Sequence, residues 1–335
     1  MTVPRKILAI KFKYLGDVAI MVPALRSIKE KWPDCELHAL VAEEAVPALK
    51  AIPWIKKVWS FPRIRGKSNY KASFPVIKNL RLEKFDRSVD FVGNDRGAFV
   101  SFLIGAKRRL ASAEPRWKPI RTFCYHEQIE ELDTTRHEII RDIYILSQWG
   151  IKPSSNLELE LPQKERKDIH PSLHIHKDSI VCHLSTSVPK KEWSLNNWVQ
   201  LHSVFKSMNK RVYFSTGPSD RELALLNHLN EMDPSIHPIP KTRTLYDFID
   251  IVSQAKLFIS PDTAPLHIAA ALGIPTHGLF GPTAGSRWAP PGETHTYSQV
   301  LFCACSGHKD TCDNPIPCID RLTVEEVLET VQDRI

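Results

Sequence analysis

Ser260-Pro261-Asp262-Thr263-Ala264-Pro265-Leu266-His267 places polar residues and a small one between two apolar stretches. A buried strand over 256–260 would stop there. A helix would then start with Pro265 in its first turn, where a missing N–H is tolerated. Asp262 or Thr263 can cap such a helix. In an open α/β sheet, ligands bind beyond the carboxyl ends of strands, where helix N-termini present free N–H groups to anions. Ala264 lets a ligand approach the backbone, and His267, about one turn along, points back toward the same end. The segment therefore reads either as an ordinary capped helix start or as a phosphate site.

Gly16-Asp17 closes the turn after the first apolar run, 6–10. Asp17 can cap a helix at Val18, or serve as a general base beside a substrate hydroxyl. Lys11 and Lys13 would keep it ionised and could also contact anions. Ser185-Thr186-Ser187-Val188-Pro189-Lys190-Lys191-Glu192-Trp193 follows another apolar run. Hydroxyls and lysines at that place suit phosphate oxygens, although a solvated turn has the same composition. Phe280-Gly281-Pro282-Thr283-Ala284-Gly285-Ser286-Arg287-Trp288 reads as a turn that reverses the chain. There is no Walker A loop and no Gly-x-Gly-x-x-Gly, so neither a P-loop nor a simple dehydrogenase is supported.

The elements that must position these residues follow from periodicity. Short apolar runs at 6–10, 36–41, 58–61 and 87–92 read as strands. Between them, Val18, Met21, Val22, Leu25 and Ile28 recur at helical spacing up to Trp32-Pro33, and a further helix is expected near 45–51. Residues 152–178 carry Pro153, Pro162 and Pro171 among many charges and read as a linker. Strands over 179–184, 211–215, 236–239 and 256–260 follow, with 275–280 as the last. Helices near 198–208, 219–230, 245–254 and 265–272 alternate with them. This alternation predicts parallel sheets wound on both faces. The expectation is an α/β chain of two Rossmann-like, doubly wound domains facing a central cleft, 1–160 and 179–335, joined by 161–178.

Size agrees, since 335 residues exceed one ordinary core. The first twenty residues hold only a four-residue apolar run, so no signal peptide is expected. No stretch nears the roughly 18 apolar residues of a membrane span. A cytoplasmic chain with reduced thiols is expected, and Cys35, Cys124 and Cys182 read as buried thiols. Cys303, Cys305, Cys312 and Cys318, with His308 among them, could close a tetrahedral structural site for zinc or iron, or stand as free thiols in a proline-rich loop. The net charge of +7 suits phosphorylated small molecules or an anionic membrane surface. No nucleic-acid-binding signature is present, so no nucleic-acid partner is expected.

Three features in order carry a resemblance. They are Lys11-x-x-x-x-Gly16-Asp17 with Pro23-Ala24-Leu25 on the helix behind it, Lys191-x-Trp193, and Asp262-Thr263-Ala264-Pro265-Leu266-His267-Ile268-Ala269-Ala270 leading to Leu279-Phe280-Gly281-Pro282-Thr283. They resemble the family-9 glycosyltransferases, the ADP-heptose:lipopolysaccharide heptosyltransferases, and look closest to the third heptosyltransferase branch. The resemblance spans nearly the whole chain. It implies a GT-B fold with the acceptor in the first domain and the donor in the second. It implies an inverting, metal-independent transfer of heptose from ADP-L-glycero-D-manno-heptose to a sugar of the lipopolysaccharide inner core. That work would be done at the cytoplasmic face of the inner membrane. By the same resemblance Asp17 is the general base and Lys191 binds donor phosphate. Thr263 and Ala264 offer N–H groups to the pyrophosphate, Asp262 and His267 contact heptose or phosphate, and Thr186 and Ser187 line the phosphate site. Arg63, Arg65 and Lys67, with Lys11, fall on the acceptor side, although a solvated basic loop has the same look. Ala264 stands where many members have Gly, and Arg243 where a Met often packs near adenine. Another nucleotide sugar, a protein acceptor, or a catalytically inactive nucleotide-sugar-binding module stay open as alternatives. A carboxylate at Asp17 speaks against the last.

Overall fold

Ile7, Leu8, Ala9 and Ile10 are all fully buried, as a strand covered on both faces should be. They form β1 (Lys6–Lys11), an interior strand of a six-stranded sheet. The computed structural model describes residues 3–62, 70–113, 123–130, 135–161, 169–300 and 316–335. The chain divides into two compact units, Met1–Pro162 and Gln163–Ile335.

In the first unit β2 (Glu36–Ala42), β3 (Lys57–Phe61), β4 (Arg87–Asp90), β5 (Arg108–Ala113) and β6 (Glu127–Glu130) complete the sheet in the order β3-β2-β1-β4-β5-β6. Every pairing is parallel, with Ile10 opposite both Leu40 and Asp90. The helices are α1 (Leu15–Ile20), α2 (Val22–Lys31), α3 (Pro47–Lys50), α4 (Tyr70–Leu82), α5 (Asp95–Ile104) and α6 (Glu138–Leu146). The second unit repeats the winding. Its strands are β7 (Ile180–His183), β8 (Val212–Ser215), β9 (His237–Pro238), β10 (Leu257–Pro261), β11 (Thr276–Phe280) and β12 (His295–Gln299), in the order β12-β11-β10-β7-β8-β9. Its helices are α7 (Leu195–Ser207), α8 (Asp220–Met232), α9 (Leu245–Val252), α10 (Ala264–Ala271), α11 (Gly285–Trp288) and α12 (Val324–Val331). In each unit the strand order reverses between the first strand and the fourth, so the switch points lie at the carboxyl ends of β1 with β4 and of β7 with β10.

Three strands depart from the periodicity reading. β5, β6 and β12 carry Arg-Arg, Glu-Gln and His-Thr-Tyr-Ser-Gln, not apolar runs, and the strand ending at Phe280 is not the last. β6 and β12 are edge strands, which are open to solvent on one side and tolerate polar residues. The single helix expected over 18–32 is two helices, because Pro23 in the first turn of α2 lacks the N–H that would continue the ladder from α1. Among the described residues no helix is long and apolar enough to cross a membrane.

Packing is aromatic in both units. In the first, the buried Arg87 guanidinium lies 4.7 Å from the Trp32 ring and 5.2 Å from that of Trp149. In the second, Trp193 and Trp198 meet edge to face with centroids 5.0 Å apart, inside a core that includes Phe205, Phe214 and Leu257.

Two histidines are built into the second sheet as neutral groups. His183 hydrogen-bonds Ser215 Oγ at 2.9 Å, and burial pulls its pKa down to about 4. His277 bonds Thr296 Oγ1 at 3.0 Å and Ser298 Oγ at 3.1 Å, and burial pulls it down to about 3. An unfolded histidine titrates near 6.5, so below that pH the unfolded chain binds more protons than the folded one. Stability is therefore full above about pH 6.5 and falls as pH drops, by about 2 kcal/mol per histidine at pH 5. Thermal unfolding between pH 7 and 5 is expected to show this decline, and His277→Asn should flatten it. An unchanged slope in that variant would rule His277 out as a source.

Candidate active site

Burial of Leu257, Phe258 and Ile259 fixes β10 in the sheet interior, and the chain leaves it at Asp262. There the carboxylate does not cap the helix. Its Oδ2 accepts from Lys191 Nζ at 2.7 Å, with the side chains 9% and 20% exposed. Thr263 occupies the N-cap position of α10 in an extended conformation, yet its side chain makes no capping hydrogen bond. Ala264 and Pro265 form the first turn. The helix N-terminus thus faces out from the switch point with its positive end available. His267 is buried one turn further on.

The neighbouring loop, after β7, is braced from beneath. Thr186 Oγ1 donates to Val188 O at 2.6 Å and accepts from Val188 N–H at 3.0 Å, a local turn that spends its hydroxyl on the backbone. Glu192 accepts the Thr186 N–H at 2.8 Å and two N–H groups of Arg221, each at 2.9 Å. This paired guanidinium–carboxylate contact is rigid as well as strong. Ser185, fully buried, donates to Glu222 Oε1 at 2.9 Å and accepts the Gly217 N–H at 2.8 Å. Glu222 also closes the capping box with Ser219 at the start of α8. Burial raises its pKa, but the hydrogen bonds from Ser219 and Ser185 outweigh that and hold it below its ordinary value. Ser187 is exposed at the loop surface. Lys191 ends the short turn Pro189–Lys191 above this brace.

At the switch point of the first unit, Asp17 lies within the first turn of α1 and not at its cap, a position taken by Tyr14. Burial lifts the Asp17 pKa above the usual carboxylate range; Lys11 and Lys13 pull it back, and Glu138 adds to the rise. Lys11 is 3% exposed and forms a buried ion pair with Asp142 of α6. Burial also raises Asp142, to about 6, against the pull of Lys11. Glu138 of α6 thus raises both Asp17 and Asp142, and the enclosed Lys11 lowers both. On the fourth strand, buried Asp90 accepts from the N–H groups of Val92 and Gly93 and from Tyr125 Oη at 2.6 Å. Gly93 at φ +66 and Gly97, whose Cβ would lie 1.8 Å from Asp90 Oδ2, permit that close loop.

The structure therefore brings together Lys191, Asp262, Thr263, Ala264, Thr186 and Ser187 at one switch point, and Lys11 and Asp17 at the other. Arg63, Arg65 and Lys67 lie outside the described residues, as do Cys303, Cys305 and Cys312. Cys318 is described and 1% exposed, and among the described residues no group of His, Cys, Asp and Glu is arranged to hold a metal ion. Cys35, Cys124 and Cys182 are buried thiols. Sequence reading missed Asp142, Glu138, Glu192, Arg221 and Glu222. Only the Ser219-x-x-Glu222 spacing gave a signal, that of a capping box.

The family model described as Glycosyltransferase family 9 (heptosyltransferase) matches residues 74–314. Lipopolysaccharide core heptosyltransferase OpsX of Haemophilus influenzae is 22% identical over 293 residues, 86% of this chain and 82% of that protein. Lipopolysaccharide heptosyltransferase 3 of Escherichia coli is 21% identical over 291 residues, 83% of this chain and 84% of its own length. The structure of E. coli heptosyltransferase WaaC with ADP-2-deoxy-2-fluoro heptose is similar with a TM-score of 0.75 at 17% identity, covering 98% of this chain and 100% of that one.

Proposed function

Because the chain belongs to glycosyltransferase family 9, with its GT-B fold, and is a glycosyltransferase, we propose that it moves a heptose from ADP-L-glycero-D-manno-heptose to a sugar of the lipopolysaccharide inner core, inverting the anomeric carbon. The observation that carries the donor half is the Lys191–Asp262 pair set against the open N-terminus of α10. A cation and a helix N-terminus stabilise charge developing on a leaving diphosphate, and need no metal to do so. Thr263 and Ala264 offer N–H groups to the pyrophosphate, Thr186 and Ser187 line it, and Asp262 and His267 face the donor. The segment 179–335 binds the donor and 1–160 the acceptor, with 161–178 between them.

Asp17 takes the proton of the acceptor hydroxyl. Its half-buried carboxyl, lifted in pKa by that burial, is a stronger base than a solvated one. Arg63, Arg65 and Lys67 face the acceptor's anionic groups, whereas Lys11, expected among them, is buried in its ion pair with Asp142 and acts on Asp17 instead. The acceptor is a lipid headgroup, so the site of action is the cytoplasmic face of the inner membrane, a surface that suits the +7 charge. If the cysteine cluster holds zinc or iron, the metal is structural.

A second reading, transfer from another nucleotide sugar, is favoured by Arg243. Its side chain is 77% exposed just before α9, where the family often has an apolar base contact. One experiment separates the two. The purified protein is given heptose-deficient lipopolysaccharide with ADP-heptose, or with UDP- and GDP-sugars, and the product is read by mass spectrometry and by NMR of the new anomeric linkage. Heptose gain from the ADP donor alone supports the first reading. Transfer only from a UDP- or GDP-sugar would sink it.

A further inference from the structure

α4 and α5 lie side by side on one face of the first sheet. Ile77 and Leu80 of α4 and Val100 and Ile104 of α5 enter the same buried cluster as Leu8, Ile10, Leu40, Trp59 and Phe61. Between the helices, Arg81 Nη1 donates to Leu103 O at 2.8 Å. Helical spacing then fixes what looks outward. On α4 that is Phe74, Lys78 and Leu82, and on α5 it is Arg96, Phe99 and Phe102.

An outward apolar residue is ordinary when it stands alone. Here four of them are open together, and even the least open, Phe102, is 38% exposed. Phe123, also exposed, meets Phe102 with ring centroids 5.3 Å apart, and the Arg109 guanidinium lies 5.8 Å from the Phe102 ring. Such a patch marks an interaction surface. Its charge is one-sided. α4 carries Lys71, Lys78 and Arg81 and no acidic residue, and α5 carries Arg96 against Asp95. Arg81 and Arg109 donate to the backbone carbonyls of Leu103, Cys124 and Ala106, which leave their charges uncancelled. Glu83 and Asp86, just beyond α4, are taken by Lys6 and Lys107.

Apolar rings framed by cations match a lipid surface with anionic headgroups, where the rings enter the headgroup layer and the cations meet phosphates. A second copy fits poorly, because a two-fold contact would set the same cations against each other. We propose that the α4–α5 face docks the protein on an anionic phospholipid bilayer, a deepening of the reading above that rests on its membrane-borne acceptor. Both helices start at the carboxyl edge of the parallel sheet, the edge that carries Asp17, so docking holds that edge beside the headgroups.

Co-sedimentation with phosphatidylcholine vesicles, with and without phosphatidylglycerol, tests this in wild type, Phe99→Ser/Phe102→Ser, Lys78→Gln/Arg96→Gln and, on the second unit, Leu223→Ser. Wild type partitions at least about tenfold better onto the anionic vesicles, and salt reduces the difference. Each double variant weakens that partitioning roughly 10- to 30-fold. Leu223→Ser, an exposed apolar residue elsewhere, matches wild type, and ADP binding is unchanged in all. The Lys78/Arg96 variant leaves the ring contacts in place should Phe102→Ser disturb the fold. Wild type that ignores anionic vesicles, or folded double variants that bind them like wild type, overturns the docking face. A dimer that Phe99→Ser/Phe102→Ser dissociates, with vesicle binding unchanged, gives the face to a second copy instead. Vesicle binding through this face by a protein that transfers no heptose from ADP-heptose would overturn the reading of function and leave the docking face standing.

Discussion

Asp17→Asn is expected to slow sugar transfer about 10²–10⁴-fold, the usual worth of a positioned general base, with ADP binding close to wild type. The substitution keeps the size of a side chain that sits inside the first turn of α1, so local packing is preserved. What it removes is the carboxylate proposed to accept the proton. Burial raises the pKa of this carboxyl above its ordinary value, with Glu138 reinforcing the rise and Lys11 and Lys13 opposing it. The base is therefore lost to protonation at a higher pH than a solvated aspartate would be, and the acid limb of kcat should lie above about 4. Glu138→Gln, which removes the charge that reinforces the rise, should move that limb downward. Transfer by Asp17→Asn within a few-fold of wild type would remove Asp17 from the role.

Lys191→Met is expected to weaken ADP binding about 100-fold or more, and the double variant Lys191→Met/Asp262→Asn to recover at least about tenfold of that loss. The reason is the geometry of the pair, 2.7 Å with the carboxylate 9% exposed. Removing the lysine alone leaves the Asp262 carboxylate without its partner, poorly solvated and beside the proposed phosphate site. Repulsion is then added to the lost attraction. Removing both charges restores neutrality, so the two effects are strongly non-additive. Breaking such a pair from one side also costs stability, about 1–3 kcal/mol for this partly exposed lysine, which urea unfolding would register. Strict additivity in the ADP titrations would show that the pair does not couple to the donor.

How much of this was legible follows from what each signal is made of. Apolar runs at 6–10 and 256–260 announced central strands, because parallel strands covered on both faces leave no room for polar residues. β5, β6 and β12 gave no such run, since a polar strand and two sheet edges need none. Helix–turn chemistry put Asp262 through His267 at a helix start, but Asp262 turned out to hold Lys191 and not the cap. That choice depends on a residue 71 positions away, which no local pattern contains. Asp17 lies inside the first turn of α1 and not at its cap, and while Lys11 and Lys13 beside it are legible in the sequence, its burial and the push from Glu138, more than a hundred residues along the chain, are not. Lys190 and Lys191 are alike in sequence. Only burial and partnership tell them apart.

The tryptophans carry a last consequence. Of the eight in the chain, Trp32 and Trp149 flank a guanidinium in the first unit, while Trp193 and Trp198 form an edge-to-face dimer in the second. One pair emits beside a fixed positive charge, and the other is close enough for its excited states to mix. Each unit thus carries its own optical signature, and light alone can report which of the two is coming apart.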